Sequence, residues 1–354
     1  MTKRFSFLLC GLLALAGCAS SSDDTASSSR DLIAADTCSA LSPRTTPLEV
    51  FVQPDVGVAP FVETIGRATT SIDVMVYQMG WGPVLDGLIA KAQAGVRVRA
   101  ILDLAQQHVN QKYKDKLEAA GATVIWSDPK FAFMHAKVLI VDGAEAIVST
   151  GNYNQSFMLS ERNYAVRDRD VADLRSLQAI FEADFARQDP DLSCTRLIVA
   201  PVNARQRILD FIDSAQHTLI VESMQFQDRD VRNAVAARKA AGVDVRVILA
   251  DPSWIDANTS AATFLQQHGI EPKFYPHAHV KSVVVDGKTA YVGSVNLSWN
   301  SIDKNREIGL LVSEQANVDE ITATFEHDWA TGTDFPTTPA PAPAPATDVA
   351  EATP

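Results

Sequence analysis

His135-Ala136-Lys137-Val138-Leu139-Ile140-Val141-Asp142-Gly143 and His279-Val280-Lys281-Ser282-Val283-Val284-Val285-Asp286-Gly287 are two copies of one pattern. Each runs His-x-Lys, four small or apolar residues, then Asp-Gly. Val148-Ser149-Thr150-Gly151-Asn152 follows the first copy, and Val292-Gly293-Ser294-Val295-Asn296 follows the second. The spacing holds from the histidine to the asparagine, since 279 − 135 = 144 and 296 − 152 = 144. Chance does not repeat such a set of residues in ungapped register.

The spacing has a physical reading. Side chains alternate along an extended strand, so His135 and Lys137 project from one face, and His279 and Lys281 do the same. The runs 138–141 and 282–285 suit strands buried on both faces. Gly143 and Gly287 allow tight turns into second strands. Each hairpin then returns Thr150 with Asn152, or Ser294 with Asn296, beside the histidine and lysine. Each copy offers an imidazole, an ammonium, a hydroxyl and an amide, which is half of a site for a phosphate-like anion. Asp142 and Asp286, at strand ends before glycine, read as turn formers rather than catalysts.

On these residues the chain resembles the phospholipase D superfamily, whose defining motif is this His-Lys-Asp pattern used twice. The resemblance covers roughly 45–330. It implies two α/β sandwich halves about a pseudo-twofold axis, with the two motifs forming one active site at their interface. It also implies phosphodiester chemistry through a phosphohistidine. One histidine attacks phosphorus, the other protonates the leaving alkoxide and then activates water, and the family pattern assigns attack to His135. Lys137 and Lys281 become the clamp for the non-bridging oxygens. Asn152 and Asn296, with Thr150 and Ser294 as substrate-binding hydroxyls, bond the same oxygens.

A carboxylate 28 residues beyond the motif histidine is common in that family and orients an imidazole. The second copy has it, Glu307 in Asn305-Arg306-Glu307, whereas the first has Asn163 in Glu161-Arg162-Asn163. The halves are therefore chemically unequal. Glu307 is a candidate to hold one histidine as the attacking base, while the other relies on neutral partners or on Asp103 or Glu161 as substitutes. His277, two residues before His279, reads as a loop residue. No pair of His or Cys has zinc-like spacing, so neither a metal nor another cofactor is expected.

Outward from the motifs, elements repeat in the same order. Helices are expected over 60–68, 83–94, 113–120 and 171–187, and again over 203–214, 231–241 and 259–268. Strands are expected over 48–53, 71–79, 96–103, 123–127 and 164–167, then over 196–200, 218–226 and 243–251. Ala94-Gly95-Val96 matches Ala241-Gly242-Val243 at an offset of 147 (241 − 94). Strands alternating with helices predict mainly parallel sheets with helices outside.

The termini read differently. Lys3 and Arg4 precede an apolar run from Phe5 to Ala16, too short to span a bilayer and typical of a signal. The run closes on Leu15-Ala16-Gly17-Cys18, which looks like a bacterial lipobox, with Cys18 lipidated. Ala19, in place of the Asp that marks inner-membrane retention, favours the outer membrane. This divides the chain into a signal peptide (1–17), a tether (18–45), two repeats (46–190 and 191–335) and a Pro/Ala-rich arm (336–354). Cys38 and Cys194 remain as an even pair in an exported protein and read as a disulfide.

Composition bears on substrate. The whole chain carries −12, and removing Lys3 and Arg4 leaves 29 basic against 43 acidic residues, or −14. No run of Lys or Arg interleaved with aromatics marks a nucleic-acid groove. Phospholipid is thus the expected partner, held near by the anchor, with a nuclease as the less favoured alternative. No protein partner is implied, and the chain is read as a monomer. Phe131, Phe133, Met134, Tyr275 and Trp299 are candidates to meet the lipid, or equally to pack in the core. The expected reaction is hydrolysis to phosphatidate and headgroup, with transfer to an alcohol, as in cardiolipin synthases, as its variant.

Overall fold

The computed structural model describes residues 39–335. The segment read as a signal, Cys18, Cys38 and the Pro/Ala-rich stretch 336–354 lie outside them. The chain folds twice over the same plan. The first sheet has seven strands: β1 (Glu49–Gln53), β2 (Ser71–Val76), β3 (Arg97–Leu102), β4 (Thr123–Trp126), β5 (Lys137–Val141), β6 (Glu145–Ser149) and β7 (Asn163–Asp168). Their order in space is β1-β7-β6-β5-β2-β3-β4. The second sheet has β8 (Ile198–Ala200), β9 (Thr218–Ser223), β10 (Asp244–Ala250), β11 (Lys273–Tyr275), β12 (Lys281–Val285), β13 (Thr289–Gly293), β14 (Glu307–Val312) and β15 (Thr333–Asp334). Read from β8, it has the same order with β15 added at the end: β8-β14-β13-β12-β9-β10-β11-β15.

The expectation of mainly parallel sheets is corrected. Only β2-β3, β3-β4, β9-β10 and β10-β11 pair in parallel among the described strands, and every other pair is antiparallel. The motif hairpins are the physical reason. An Asp-Gly turn can only return the chain antiparallel to itself, and each motif strand also runs against its other neighbour in the sheet, β2 or β9, as Val76 pairs with Lys137 and Ser223 with Lys281. The expected helices form, three of them starting one or two residues early and the one expected from 113 starting at Gln107. Two short helices (Gln155–Met158 and Trp299–Asp303) and the long Gln315–Thr331 helix were not foreseen.

Alternation along the motif strands divides the apolar residues between two faces. Val138, Ile140 and Val284 enter a core shared by both sheets and by the helices Val171–Phe185 and Gln315–Thr331. Leu139 and Val141 face a separate core under the first half's helices, and Val283 and Val285 face its counterpart in the second. Every residue of β5 and β12 is buried, so neither strand can slip by one residue without exchanging its two apolar faces. The sheets consequently pack face to face, and the strand ends bearing the histidines meet.

Candidate active site

Both motif histidines line one cavity of about 520 Å³, together with Asn152, Asn296 and Glu161. The hairpins bring them there. In each turn Asp and Gly take positive φ, 54° and 62° at Asp142-Gly143 and 53° and 61° at Asp286-Gly287, the geometry of a type I′ turn that suits the strand twist. Asp142 accepts the backbone N–H groups of Thr69, Thr70 and Ser71, each at 2.8 Å, and both threonine hydroxyls. Asp286 accepts the backbone N–H groups of residues 216–218. The motif aspartates thus pin hairpin turns to the segments entering β2 and β9, away from the cavity.

Each histidine is held from the opposite half. His135 Nδ1–H donates to Glu307 Oε2 at 2.8 Å, and Glu307 Oε1 receives the Ser301 hydroxyl and, at 3.0 Å, the Asn305 amide. His279 Nδ1–H donates instead to Asn163 Oδ1 at 2.9 Å, which also receives the Thr150 hydroxyl at 2.8 Å. Both acceptors fix the proton on Nδ1 and leave the Nε2 lone pair for chemistry. The backbone makes the same exchange. His135 and Ala136 donate N–H to Arg306 O, and His279 donates to Arg162 O.

Arg162 and Arg306 anchor these segments. Arg162 Nε donates to Asp328 Oδ2 at 2.6 Å, and Arg306 Nη2 to Asp184 Oδ1 at 2.9 Å. Both pairs are buried, cross between halves and obey the same 144 offset (306 − 162 = 328 − 184). Gly151 makes room for the Asn163 contact, because a Cβ there would come within 2.7 Å of the Asn163 amide carbon.

Lys137 and Lys281 lie fully buried behind the imidazoles. Lys137 Nζ donates to His135 O at 2.5 Å, and Lys281 Nζ to His279 O at 2.6 Å. Lys281 Nζ also sits 3.1 and 3.3 Å from the two ring nitrogens of His279. Burial pushes Lys137 down to about 7 against the pull of Glu307 and Asp103. Burial, then the charge of Lys137, holds Lys281 well below its ordinary range. Burial likewise takes His135 down to about 4, with Glu307 opposing and Lys137 assisting. His279 is lowered well below the usual imidazole range by burial and then by the Lys281 and Lys137 ammoniums. Burial tends to raise Glu307, but the His135 and Lys137 charges and the hydrogen bonds from His135 and Asn305 hold it below ordinary. An anion in the cavity, such as a phosphodiester, would favour the charged forms of these lysines and imidazoles.

The structure redistributes several expected residues. Asn152 and Asn296 line the cavity, and their side-chain oxygens have no protein partner among the described residues. Thr150 and Ser294, expected at the substrate oxygens, are placed elsewhere. Thr150 Oγ1 is used by Asn163 and by Tyr164 N–H, and Ser294 Oγ by Ile308 N–H and Ile308 O. Backbone demand at the strand ends consumes both hydroxyls. Asp103 accepts the Met134 and Gln106 N–H groups rather than an imidazole. Of the apolar candidates, Phe133 lines the cavity, Phe131 lies under the Arg306 guanidinium at 4.4 Å, Met134 is in the core, Tyr275 is half-buried and Trp299 is exposed. Cys194 is disulfide-bonded. Among the described residues no group of three or more His, Cys, Asp or Glu is placed to hold a metal ion.

Tyr77, Gln78, Met224, Gln225 and Trp254 also line the cavity and were not foreseen. A signal existed for two of them, because Gln78 and Gln225 obey the second offset (225 − 78 = 147). The Tyr77 ring meets His135 edge-on at 4.6 Å, and Trp254 lies 6.1 Å from His279. Nothing in local sequence marks Trp254, which reaches the site from the loop after β10.

The family model described as "Cardiolipin synthase, PLD-like domain" matches the chain twice, over residues 61–185 and 208–329. The chain belongs to the phospholipase D superfamily. Curated relatives include the cardiolipin synthases of Alkalihalophilus pseudofirmus, 24% identical over 69% of this chain and 58% of the relative, and of Geobacillus kaustophilus, 25% identical over 68% and 57%. The chain thus spans less than three fifths of the length of these relatives. Among solved structures, the polyphosphate kinase of Porphyromonas gingivalis aligns with a TM-score of 0.65, 16% identity and coverage of 80% of this chain and 47% of that one. The phosphatidylserine synthase of Haemophilus influenzae aligns at 0.61 with 14% identity, covering 82% and 88%. These likenesses concern the fold alone.

Proposed function

We propose that the protein cleaves a glycerophospholipid phosphodiester through a phosphohistidine and passes the phosphatidyl group to an alcohol, with water as a competing acceptor. One observation carries this reading. Two imidazoles with unlike backing share one cavity, with an ammonium behind each. His135, its Nδ1–H on a carboxylate, is suited to attack. The Nε2 lone pair forms the N–P bond while the P–O bond to the leaving alcohol breaks, and Glu307 stabilises the cationic ring that results. His279, backed by a neutral amide, makes the more acidic imidazolium. It gives its Nε2 proton to the departing oxygen, then takes one from the incoming alcohol or water as that oxygen attacks phosphorus. The electron pair of the broken N–P bond returns to His135. Lys137, Lys281, Asn152 and Asn296 stabilise the charge on the non-bridging oxygens.

The kinship with cardiolipin synthases puts transfer to an alcohol ahead of the hydrolysis expected from sequence. A lipid anchor at Cys18 in the cell envelope, outer membrane favoured, is part of the proposal and would hold the cavity beside its substrate. No helix among the described residues is long and apolar enough to cross a membrane.

The test uses phosphatidylglycerol vesicles, with lipid products, free glycerol and acid-labile phosphohistidine all followed. Cardiolipin with released glycerol, and phosphate mapped to His135, is the expected result. Phosphatidate alone would return the reading to hydrolysis. Degradation of DNA with no lipid product would replace it with a nuclease.

A further inference from the structure

Residues 161–163 and 305–307 occupy equivalent places at the 144 offset, yet one reads Glu-Arg-Asn and the other Asn-Arg-Glu. Carboxylate and amide have traded positions. In the second half both are fully engaged. Glu307 receives His135, Ser301 and Asn305, and Asn305 Oδ1 receives the Asn300 amide at 3.1 Å. In the first half those braces are missing, because Phe157 stands where Ser301 would be (301 − 144) and Ser156 where Asn300 would be (300 − 144). Glu161 is left with the Asn163 amide at 3.5 Å and with His279 Nδ1 at 3.8 Å. It lines the cavity and forms no ion pair with a lysine or arginine among the described residues.

A largely buried carboxylate with so few donors is costly unless a ligand supplies one. Burial pushes the Glu161 carboxyl up, with Lys281 pulling it the other way. Phe157 and Trp254 line the same cavity, and aromatic rings suit a short alkyl or ammonium group. If His279 protonates the leaving alcohol, that alcohol lies on the Glu161 side, and the incoming alcohol must take the same place.

We propose that Glu161 is a specificity-determining residue whose carboxylate receives a hydroxyl or ammonium hydrogen from the far end of the alcohol held beside His279. The site thereby selects polyols and amino alcohols over plain alcohols. The proposal rests on the reading of His135 as attacker and His279 as acid.

The experiment compares wild type, Glu161→Ala and Glu161→Gln in vesicles. Acceptors are glycerol, ethanolamine and 1-propanol. In parallel, headgroup release is measured from phosphatidylglycerol, phosphatidylethanolamine and phosphatidylpropanol. In Glu161→Ala the kcat/KM ratio of glycerol or ethanolamine to propanol should fall by about tenfold or more, mainly through KM. Glu161→Gln, whose amide oxygen still accepts from a hydroxyl but carries no charge, should retain more of the glycerol preference than of the ethanolamine preference. Equal losses for every alcohol, with the ratio held within about twofold, would overturn the proposal and make Glu161 a positioning residue for Asn163. A wild type that does not distinguish glycerol from propanol would overturn it too. Should no alcohol be accepted, the headgroup-release arm still reads the ratio, so a failure of transfer is separable from a failure of this inference. Phosphate mapped to His279 would place the alcohol on the other side and also overturn it.

Discussion

Lys137 and Lys281 are buried two residues from the imidazoles they serve, with carbonyl oxygens as their nearest acceptors. An ammonium so placed is poorly solvated and loses its proton easily until an anion arrives. The lowered lysine is charged below about 7 and neutral above, whereas lowered His135 is a free base above about 4 and blocked below. The profile of kcat/KM, which reports the free enzyme, should therefore rise through about 4 as His135 becomes a free base, and fall on the alkaline side as the lowered His279 and then Lys137, at about 7, lose their protons. Binding a phosphodiester analogue near pH 8 should draw protons from solution, because the anion favours the charged lysine. Titration calorimetry in buffers of different ionisation enthalpy measures that uptake, and an uptake of zero would contradict the electrostatic reading of the cavity.

At the scale of the element, the hairpin is what converts a linear motif into a site. Its turn works because Asp and Gly accept positive φ at adjacent positions. Asp142 then ties that turn to three consecutive N–H groups and two hydroxyls of the segment entering β2. Asp142→Ala leaves those donors to water and should cost about 1–3 kcal/mol. Thermal unfolding should show a drop of several degrees, and Asp286→Ala should behave alike in the second half. Turnover at low temperature should fall much less than after any change to His135, since no cavity group is touched. A loss of activity with an unchanged melting temperature would place the aspartate in the chemistry instead.

Across the whole molecule the two halves complete one another by exchange. Each arginine beside the His-backing residue reaches the closing helix of the other half, Arg162 to Asp328 and Arg306 to Asp184. Registry between the sheets and placement of Glu307 and Asn163 thus depend on the same contacts. Asp184→Ala strands Arg306 without its counter-charge and should destabilise by about 3–5 kcal/mol, read by urea unfolding. The paired change Asp184→Leu with Arg306→Met should regain much of that stability. Activity should not return with it, because Glu307 adjoins Arg306 and loses its fixed approach to His135. Full recovery of turnover in the paired variant would show that the apolar core alone sets the registry.

Much of this was legible in the chain itself. The 144-residue repeat, the two-faced burial of residues 138–141 and 282–285 and the Asp-Gly turns are local consequences of strand periodicity and backbone sterics, so residue order is enough to state them. The inequality of the halves was also visible, in Asn163 against Glu307. What the sequence could not decide is which imidazole each would serve, because the partners lie 172 and 116 residues apart along the chain. Only the packing of one sheet on the other delivers Glu307 to His135 and Asn163 to His279. The same holds for Thr150 and Ser294. Their hydroxyl chemistry suggested ligand contact, and only the folded strand ends showed the backbone groups that claim them first. Local pattern fixes which groups a hairpin carries, but long-range burial decides which of them remain free to meet a substrate.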